Sequence, residues 1–524
     1  MNKYPRIISL FLIFFLLVFS WAVIRNAWIS EDAYITLRTV DNFIHGYGLT
    51  WNPGERVQTY THPLWMLLLS AIYYFTHEVY YSTLFLSIAI SLLAVILFAF
   101  QIVGNRIAIL GITVLIFSKA FVDYSTSGLE NPLSNLILTL FFLIYLRRKA
   151  NFKTLFFLFL LTALSLVNRL DTVLLFLPPL VYVLFKNRRA NGLFAAVLGL
   201  SPFIAWEIFS LFYYGFPFPN TAYAKLNTGI TDIQLIRQGL LYLLNSVQAD
   251  PLTLLIIVLG IIIPLRKPNK CFLPFSLGII LYLIYVVKIG GCFMSGRFLG
   301  VPLFCAVMIL CSCRVILSNR QMLIIFSAIV LVGLISPHPT LFGRRDYKIS
   351  DAGWDANGIA DERAFYYSQS GLLQSGRANK LMSDPWVRAG KQARAEGIDL
   401  VVSVRIGLFG FFAGPRVHII DLLALGDPLL SRLPALENPK WRVGHFQRLI
   451  PKGYVETLQT GENQLDDKNL AEYYDKLALI TRGKLWDLTR LVTIWNMNTG
   501  KYCHLIDRHF YRRFRPGQHL IGID

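Results

Sequence analysis

Twelve apolar segments fill the first 335 residues, more apolar length than one soluble core can hide. They run over 7–24, 63–75, 82–103, 107–117, 132–146, 154–167, 172–185, 193–212, 252–265, 272–287, 298–309 and 322–335. Several fall short of the roughly 20 residues a straight membrane helix needs, so some are expected to borrow flanking aromatics or to run as broken helices. Composition agrees: 55% of the 524 residues are hydrophobic and only 15% charged, against about 25% charged in soluble domains. With 14% aromatic residues, a solvated disordered coil is excluded as well. Segment 7–24 follows Lys3 and Arg6 but lacks a small-residue cleavage site, and is read as an uncleaved first span.

The formal charge of +19 would suit a nucleic-acid binder, but its distribution does not. Lys3/Arg6, Arg147/Arg148/Lys149/Lys153, Lys186/Arg188/Arg189, Arg266/Lys267/Lys270 and Arg314/Arg320 lie in loops without Asp or Glu. The positive-inside rule puts all five in the cytoplasm, together with the N-terminus. Segments 25–62, 119–131, 168–171, 213–237, 289–297 and everything after Pro337 then face outward. Between 63 and 117 three apolar segments must make an even number of crossings. One of them is therefore expected to be re-entrant or non-spanning, which leaves about 11 spans.

After Pro337 the chain has globular composition, with 26 Lys and Arg against 20 Asp and Glu. The expected division is a membrane module over 1–336 and a soluble outer domain over 337–524. Within the latter, 398–404 and 417–422 read as short buried strands around the Gly-rich "RIGLFGFFAGP", and 471–480 as a helix, so a small α/β or α+β domain is expected. The six cysteines form no disulfide framework, and Cys311 and Cys313 have no His cluster to make a metal site. No metal-ligand set is legible.

The outward loops hold the unusual polar residues. Glu31 and Asp32 stand just past the first span, where adjacent carboxylates are costly unless solvated, paired or functional. The plainer explanation is a helix start, with Ser30 as cap and the acids favoured by the helix dipole. Arg56, Tyr60, His62 and Trp65 follow in the same loop. Aromatics at this depth form either an interfacial belt or a sugar platform.

The stretch 31–65 carries a wider pattern. It reads Glu31, Asp32, Ala33, Tyr34, Ile35, Thr36, then Gly46, Tyr47, Gly48, Leu49, then Trp51, Asn52, Gly54, Glu55, Arg56, Val57, Gln58, Tyr60, Thr61, Pro63, Leu64 and Trp65. This resembles the first outer loop of GT-C membrane glycosyltransferases. More narrowly it resembles the terminal arabinofuranosyltransferase (AftB-like) family of mycobacterial arabinan synthesis. "TSGLENPL" at 126–133, "GGCFMSGRF" at 290–298, "DLLALGDPLLSRLPA" from Asp421 and "WRVGHFQRLIPKGY" from Trp441 resemble later motifs of the family. Two positions depart from it: Glu31 stands where many relatives have Asp, and Cys292 where relatives often have Asp.

The resemblance implies a transferase in a bacterial inner membrane that takes a sugar from a polyprenyl-phosphate donor on the outer side. Arabinofuranose is the implied sugar. The acceptor would be a surface polysaccharide or a surface protein such as a pilin. A carboxylate at the end of the first span would be catalytic, here Asp32 or Glu31, with Asp32 favoured as general base, or as nucleophile if the linkage is retained. For the departing phosphate the outward cations are Arg297, Arg169, His62 and Lys225. Arg297 could instead snorkel at the interface, and Arg169 could simply pair with Asp171. Substrate contacts would come from Glu130, Arg56, Trp65, Asp421 and Asp427. Helix capping explains Glu130 equally well, and turn chemistry explains Asp421 and Asp427. Relatives differ on divalent cations, so a metal is left open.

No phosphate loop and no His-Glu-x-x-His zinc helix is present. Two rivals stand beside the arabinofuranose reading. One is transfer of another lipid-linked pentose or hexose. The other is a flippase for lipid-linked sugars, which would show broken half-helices in both halves of the chain. A non-catalytic assembly factor would give no reason for two acids at the membrane edge.

Overall fold

The computed structural model describes residues 4–103, 106–146, 151–186, 191–226, 228–266, 271–313, 317–342, 355–438 and 441–513. Of the basic residues that set the expected orientation, Lys3, Arg147, Arg148, Lys149, Arg188, Arg189, Lys267, Lys270 and Arg314 lie outside the described residues. The protein is helical, with 69% of the described residues in helix. Among the described residues one sheet occurs, two parallel strands β1 (Leu400–Ser403) and β2 (His418–Asp421), in register from Leu400 opposite His418 to Ser403 opposite Asp421.

Among the described residues, three helices are long and apolar enough to cross a membrane alone: Ile8–Asn26, Val79–Val103 and Gly192–Tyr213. A bent pair, Asp232–Ala249 and Pro251–Arg266, meets at 113° and would count as a fourth. Seven further apolar helices have 10–17 residues. At 1.5 Å per residue a 16-residue helix rises about 24 Å, short of the ~30 Å hydrocarbon core. By length alone the described helices do not reach the expected eleven spans.

Packing cuts the chain differently from hydropathy. One compact unit comprises Met1–Ser30, Tyr80–Phe203 and Thr231–Arg377; the other comprises Glu31–Val79, Ile204–Ile230 and Ala378–Asp524. The expected division at 336/337 follows composition and crosses both units. The loop 31–62 and the residues around 220 pack with the C-terminal part, while 355–377 pack with the apolar helices.

The first unit is built around Gly300–Ser312, which is buried on every face from Gly300 to Ile309. A helix apolar all round must sit inside its bundle. Small residues let its neighbours approach: a Cβ on Gly260 would come within 2.5 Å of the Ala306 Cβ. The second unit has a core of Trp51, Ile419, Ile420, Leu430, Leu477 and Ile480, among others. The expected strands appear at both positions. The Gly-rich segment between them is not a simple turn but carries the short helix Leu408–Ala413, which packs on Pro385–Ala395. The expected 471–480 helix runs over Lys468–Arg482, capped by Asp467.

Candidate active site

The acid pair opens the helix Glu31–Ile44, with both carboxylates in the first turn as the dipole favours. The two have different surroundings. Glu31 Oε1 accepts the backbone N–H of Gly407 at 2.6 Å and of Leu408 at 3.1 Å, satisfying the start of the Leu408–Ala413 helix. Burial and the adjacent Asp32 charge push Glu31 up to about 7, against the Gly407 and Leu408 hydrogen bonds and the Arg405 charge. Ser30, in the other unit, donates its hydroxyl to the Ser127 carbonyl at 3.0 Å. Glu31 thus has a structural task, and Asp32 follows one position on, partly buried.

The helix is locked from below by Arg38, which the sequence reading passed over. Its Nε donates to the Trp51 carbonyl at 2.8 Å and its Nη2 to the Val417 carbonyl at 2.9 Å. Nη1 donates to the Gly410 carbonyl, and the guanidinium stacks 4.6 Å from the Trp51 ring centre. Burial pushes Arg38 down to about 9. A charged side chain between Leu37 and Thr39, in a helix otherwise buried on that face, was the signal available.

The other candidates of this unit take varied places. His62 Nε2 shares a 2.9 Å hydrogen bond with the Thr36 hydroxyl, and its Nδ1 lies 3.3 Å from the Thr61 hydroxyl. Trp65 is fully buried, so its ring offers no exposed platform. Arg56 donates to the carbonyls of Tyr213, Ile480 and Gly483, which ties loop ends together. Lys225 is exposed on the last turn of Asn220–Leu226.

Asp421 and Asp427 serve the chain's own backbone. Asp421 accepts from the N–H groups of Leu423, Leu425 and Gly426; burial raises it to about 6 despite these bonds. Asp427 accepts from the Leu430 N–H at 2.8 Å and the Tyr454 hydroxyl at 3.1 Å; burial and the Glu55 charge raise it to about 8. With 0% and 1% exposure these acids hold a turn, the plainer of the two explanations. Asn220 clasps the same turn by donating to the carbonyls of Ala424, Leu425 and Asp427.

Beside the 51–56 turn opens a cavity of about 650 Å³, lined among others by Gly54, Asp399, His418, Gln459 and Arg482. Glu55 is buried next to it, accepting from Arg482 at 3.1 Å and from the Asn52 amide at 3.2 Å. His418 Nε2 lies 3.9 Å from Glu55, and burial holds this ring below the usual histidine range. The residues come from five chain stretches, so no local motif could have grouped them.

In the first unit, three candidates named separately converge. Arg297 Nη2 approaches both Glu130 oxygens at 3.3 and 3.4 Å, and Arg169 Nη1 reaches Glu130 at 3.4 Å. Arg169 also grips Asp171 through Nε and Nη2, each at 2.7 Å, and meets the Tyr282 hydroxyl at 3.2 Å. The Arg169–Asp171 pair considered in the sequence is therefore present, but as part of a larger cluster. Two guanidiniums against two carboxylates leave it neutral on balance. Cys292 is buried nearby in sequence, its Sγ accepting the Met294 N–H at 3.4 Å. Among the described residues no three His, Cys, Asp or Glu side chains converge to hold a metal ion.

No family model matches the chain. It is similar to the terminal β-(1→2)-arabinofuranosyltransferase of Mycobacterium tuberculosis, 26% identical over an alignment covering 83% of each protein. It is also similar to the enzyme of the same name from Corynebacterium glutamicum, 26% identical, covering 81% of this chain and 74% of that relative. Among solved structures, ArnT from Cupriavidus metallidurans bound to undecaprenyl phosphate superposes with a TM-score of 0.46 and 12% identity. The match covers 80% of this chain and 87% of that one. The resemblance first seen in separate motifs thus extends along most of the chain.

Proposed function

We propose that this chain is a membrane glycosyltransferase that moves arabinofuranose from a polyprenyl-phosphate donor to a cell-surface acceptor. The observation that carries the reading is its similarity, over 83% of its length, to a terminal arabinofuranosyltransferase. In this proposal Asp32 is the general base toward the acceptor hydroxyl. The choice of Asp32 over Glu31 rests on the family pattern, in which Asp32 matches the more constant position; Glu31, in addition, accepts two backbone hydrogen bonds. Arg297 and Arg169 are proposed as phosphate partners. Their planar donors suit phosphate oxygens, and Glu130 orients both. The 650 Å³ cavity, with mixed charged, amide and apolar lining, is proposed to receive acceptor sugar rings.

The membrane arrangement belongs to the same proposal. The chain spans a bacterial inner membrane about eleven times in a GT-C manner, with a cytoplasmic N-terminus and the C-terminal domain outside. Pro63–Thr76 is the proposed non-spanning segment, because its 14 residues pack on Glu31–Ile44. A flippase would call for a broken helix pair in each half; the described residues hold one such pair, Asp232–Ala249 with Pro251–Arg266.

The test uses purified protein in lipid, wild type and Asp32→Asn, with a panel of radiolabelled polyprenyl-phosphate sugars and a membrane extract as acceptor source. Label passing from the arabinose lipid into polymer or protein with wild type alone is the expected result. Product size separates glycan from protein acceptors. Transfer by Asp32→Asn at the native rate would overturn the base assignment. Lipid-sugar crossing the bilayer without transfer would overturn the enzyme reading.

A further inference from the structure

The helix Leu488–Asn498 of the second unit carries an apolar face on the wrong side for a soluble domain. Leu488 is 77% exposed, Val492 59% and Trp495 72%, and Trp486, just before the helix, 81%. Positions 488, 492 and 495 share one face at helical spacing. Arg490, Thr493 and Ile494, which are buried, define the opposite, core-facing side. The helix thus turns a mixed face with Arg490 and Thr493 toward the core and an apolar face away from it. Polar residues such as Thr489 and Asn496 occupy a flank.

What lies beside this face identifies its occupant. Trp486 packs against Phe212, ring centroids 4.7 Å apart and planes tilted by 54°. Arg490 donates to the carbonyls of Phe212 and Tyr213, both at 2.9 Å. Phe212 and Tyr213 end the apolar helix Gly192–Tyr213, long enough to span a membrane, and only 17% of its most apolar window is buried. Close to this end Ile204, Ile208 and Leu211 are also exposed. A second helix is therefore pinned to the end of a span, with its own apolar stripe left uncovered. Tryptophans with an apolar stripe at that depth suit the headgroup layer, and Lys484 and Lys501, exposed at either side in sequence, suit its phosphates.

We infer that the Trp486–Asn498 segment lies in the lipid headgroup layer and anchors the second unit to the bilayer surface beside the Gly192–Tyr213 span. The apolar stripe Leu488, Val492 and Trp495 dips toward the acyl chains, and Arg490 fixes the helix to the end of the span. The anchor rests on that span and not on the transfer reaction. Its consequence is a fixed height of the outer domain above the membrane.

The test is collision accessibility of spin labels on the full-length protein in nanodiscs of phosphatidylethanolamine and phosphatidylglycerol. Labels are placed by Leu488→Cys, Val492→Cys, Trp495→Cys, Ile208→Cys and, as a water-exposed reference, Glu462→Cys. The background carries Cys271→Ser and Cys503→Ser, since the other four cysteines are buried. All five labelled side chains are exposed, so none replaces a core contact. The expected result is a ratio of oxygen to nickel-chelate collisions at 488, 492 and 495 several-fold above that at 462, approaching that at 208. Ratios at 488, 492 and 495 equal to that at 462, with 208 in lipid, would overturn the anchor. Shielding of the three positions from both collision partners would show a protein covering them and overturn it too. A water-like ratio at 208 would remove the span and the anchor with it.

Discussion

Replacing Glu31 by glutamine separates the two acids by physics rather than by position. Glu31 sits at about 7 instead of 4.5 because burial and the Asp32 charge outweigh the hydrogen bonds it accepts. The fold therefore prefers the protonated acid. Its full stability is present below pH 4.5 and is lost as pH rises through 7. The rise corresponds to roughly 3 kcal/mol by alkaline pH. Glu31→Gln is neutral throughout and keeps an Oε1 that can accept from Gly407 and Leu408. Wild type and variant are expected to be about equally stable near pH 5, with the variant ahead by roughly 3 kcal/mol near pH 9. SDS-titrated unfolding in mixed micelles at several pH values reads the gap. A gap that does not change with pH, or a variant weaker at pH 9, would refute the reasoning. The same variant is expected to retain transfer, in contrast to Asp32→Asn. Loss of transfer with Glu31→Gln, in a protein shown to be folded, would move the base to Glu31.

Further expectations follow from particular contacts. Arg297→Ala is expected to raise the KM for the lipid-phosphate donor more than it lowers kcat, measured by varying donor at fixed acceptor; a pure kcat effect would contradict phosphate binding. Arg38→Met removes the guanidinium donor from the carbonyls of Gly410 and Val417, at roughly 1–3 kcal/mol each before relaxation, while the Trp51 carbonyl keeps the Asn42 amide; SDS titration reads the loss. Gly407→Ala would set a Cβ against the Glu31 carbonyl oxygen and within 2.6 Å of its Oε1. It is expected to lower transfer and stability together, and native values of both would show that this approach is not needed.

The membrane class, the helical nature of the chain and both short strands were legible in the sequence. Long apolar runs have few ways to satisfy their backbone in lipid, and short apolar runs rich in Val and Ile beside a Gly-rich break mark buried strands. The acid pair was legible for a similar local reason, since it stands at a helix start just past an apolar run. The motifs around it carried the resemblance to arabinofuranosyltransferases before any geometry was known.

What Glu31 is bonded to was decided only by tertiary structure. Gly407 and Leu408, some 376 residues away, bring two N–H groups to Glu31. Arg38 could be read as a surface charge until the distant carbonyls of Gly410 and Val417 joined that of Trp51 around it. Asp421 and Asp427 matched a motif, yet the turn that buries them takes up their oxygens. Glu130, Arg169 and Arg297 were single candidates whose meeting depends on helix packing, since a helix fixes which of its own residues share a face but not which helix comes next to it. Composition and spacing determined where the chain could go and which residue types stood at the membrane edge. Long-range hydrogen bonding and burial decided which of those charges hold the fold, because the cost of an unpaired polar group depends on its final neighbours and not on its place in the sequence.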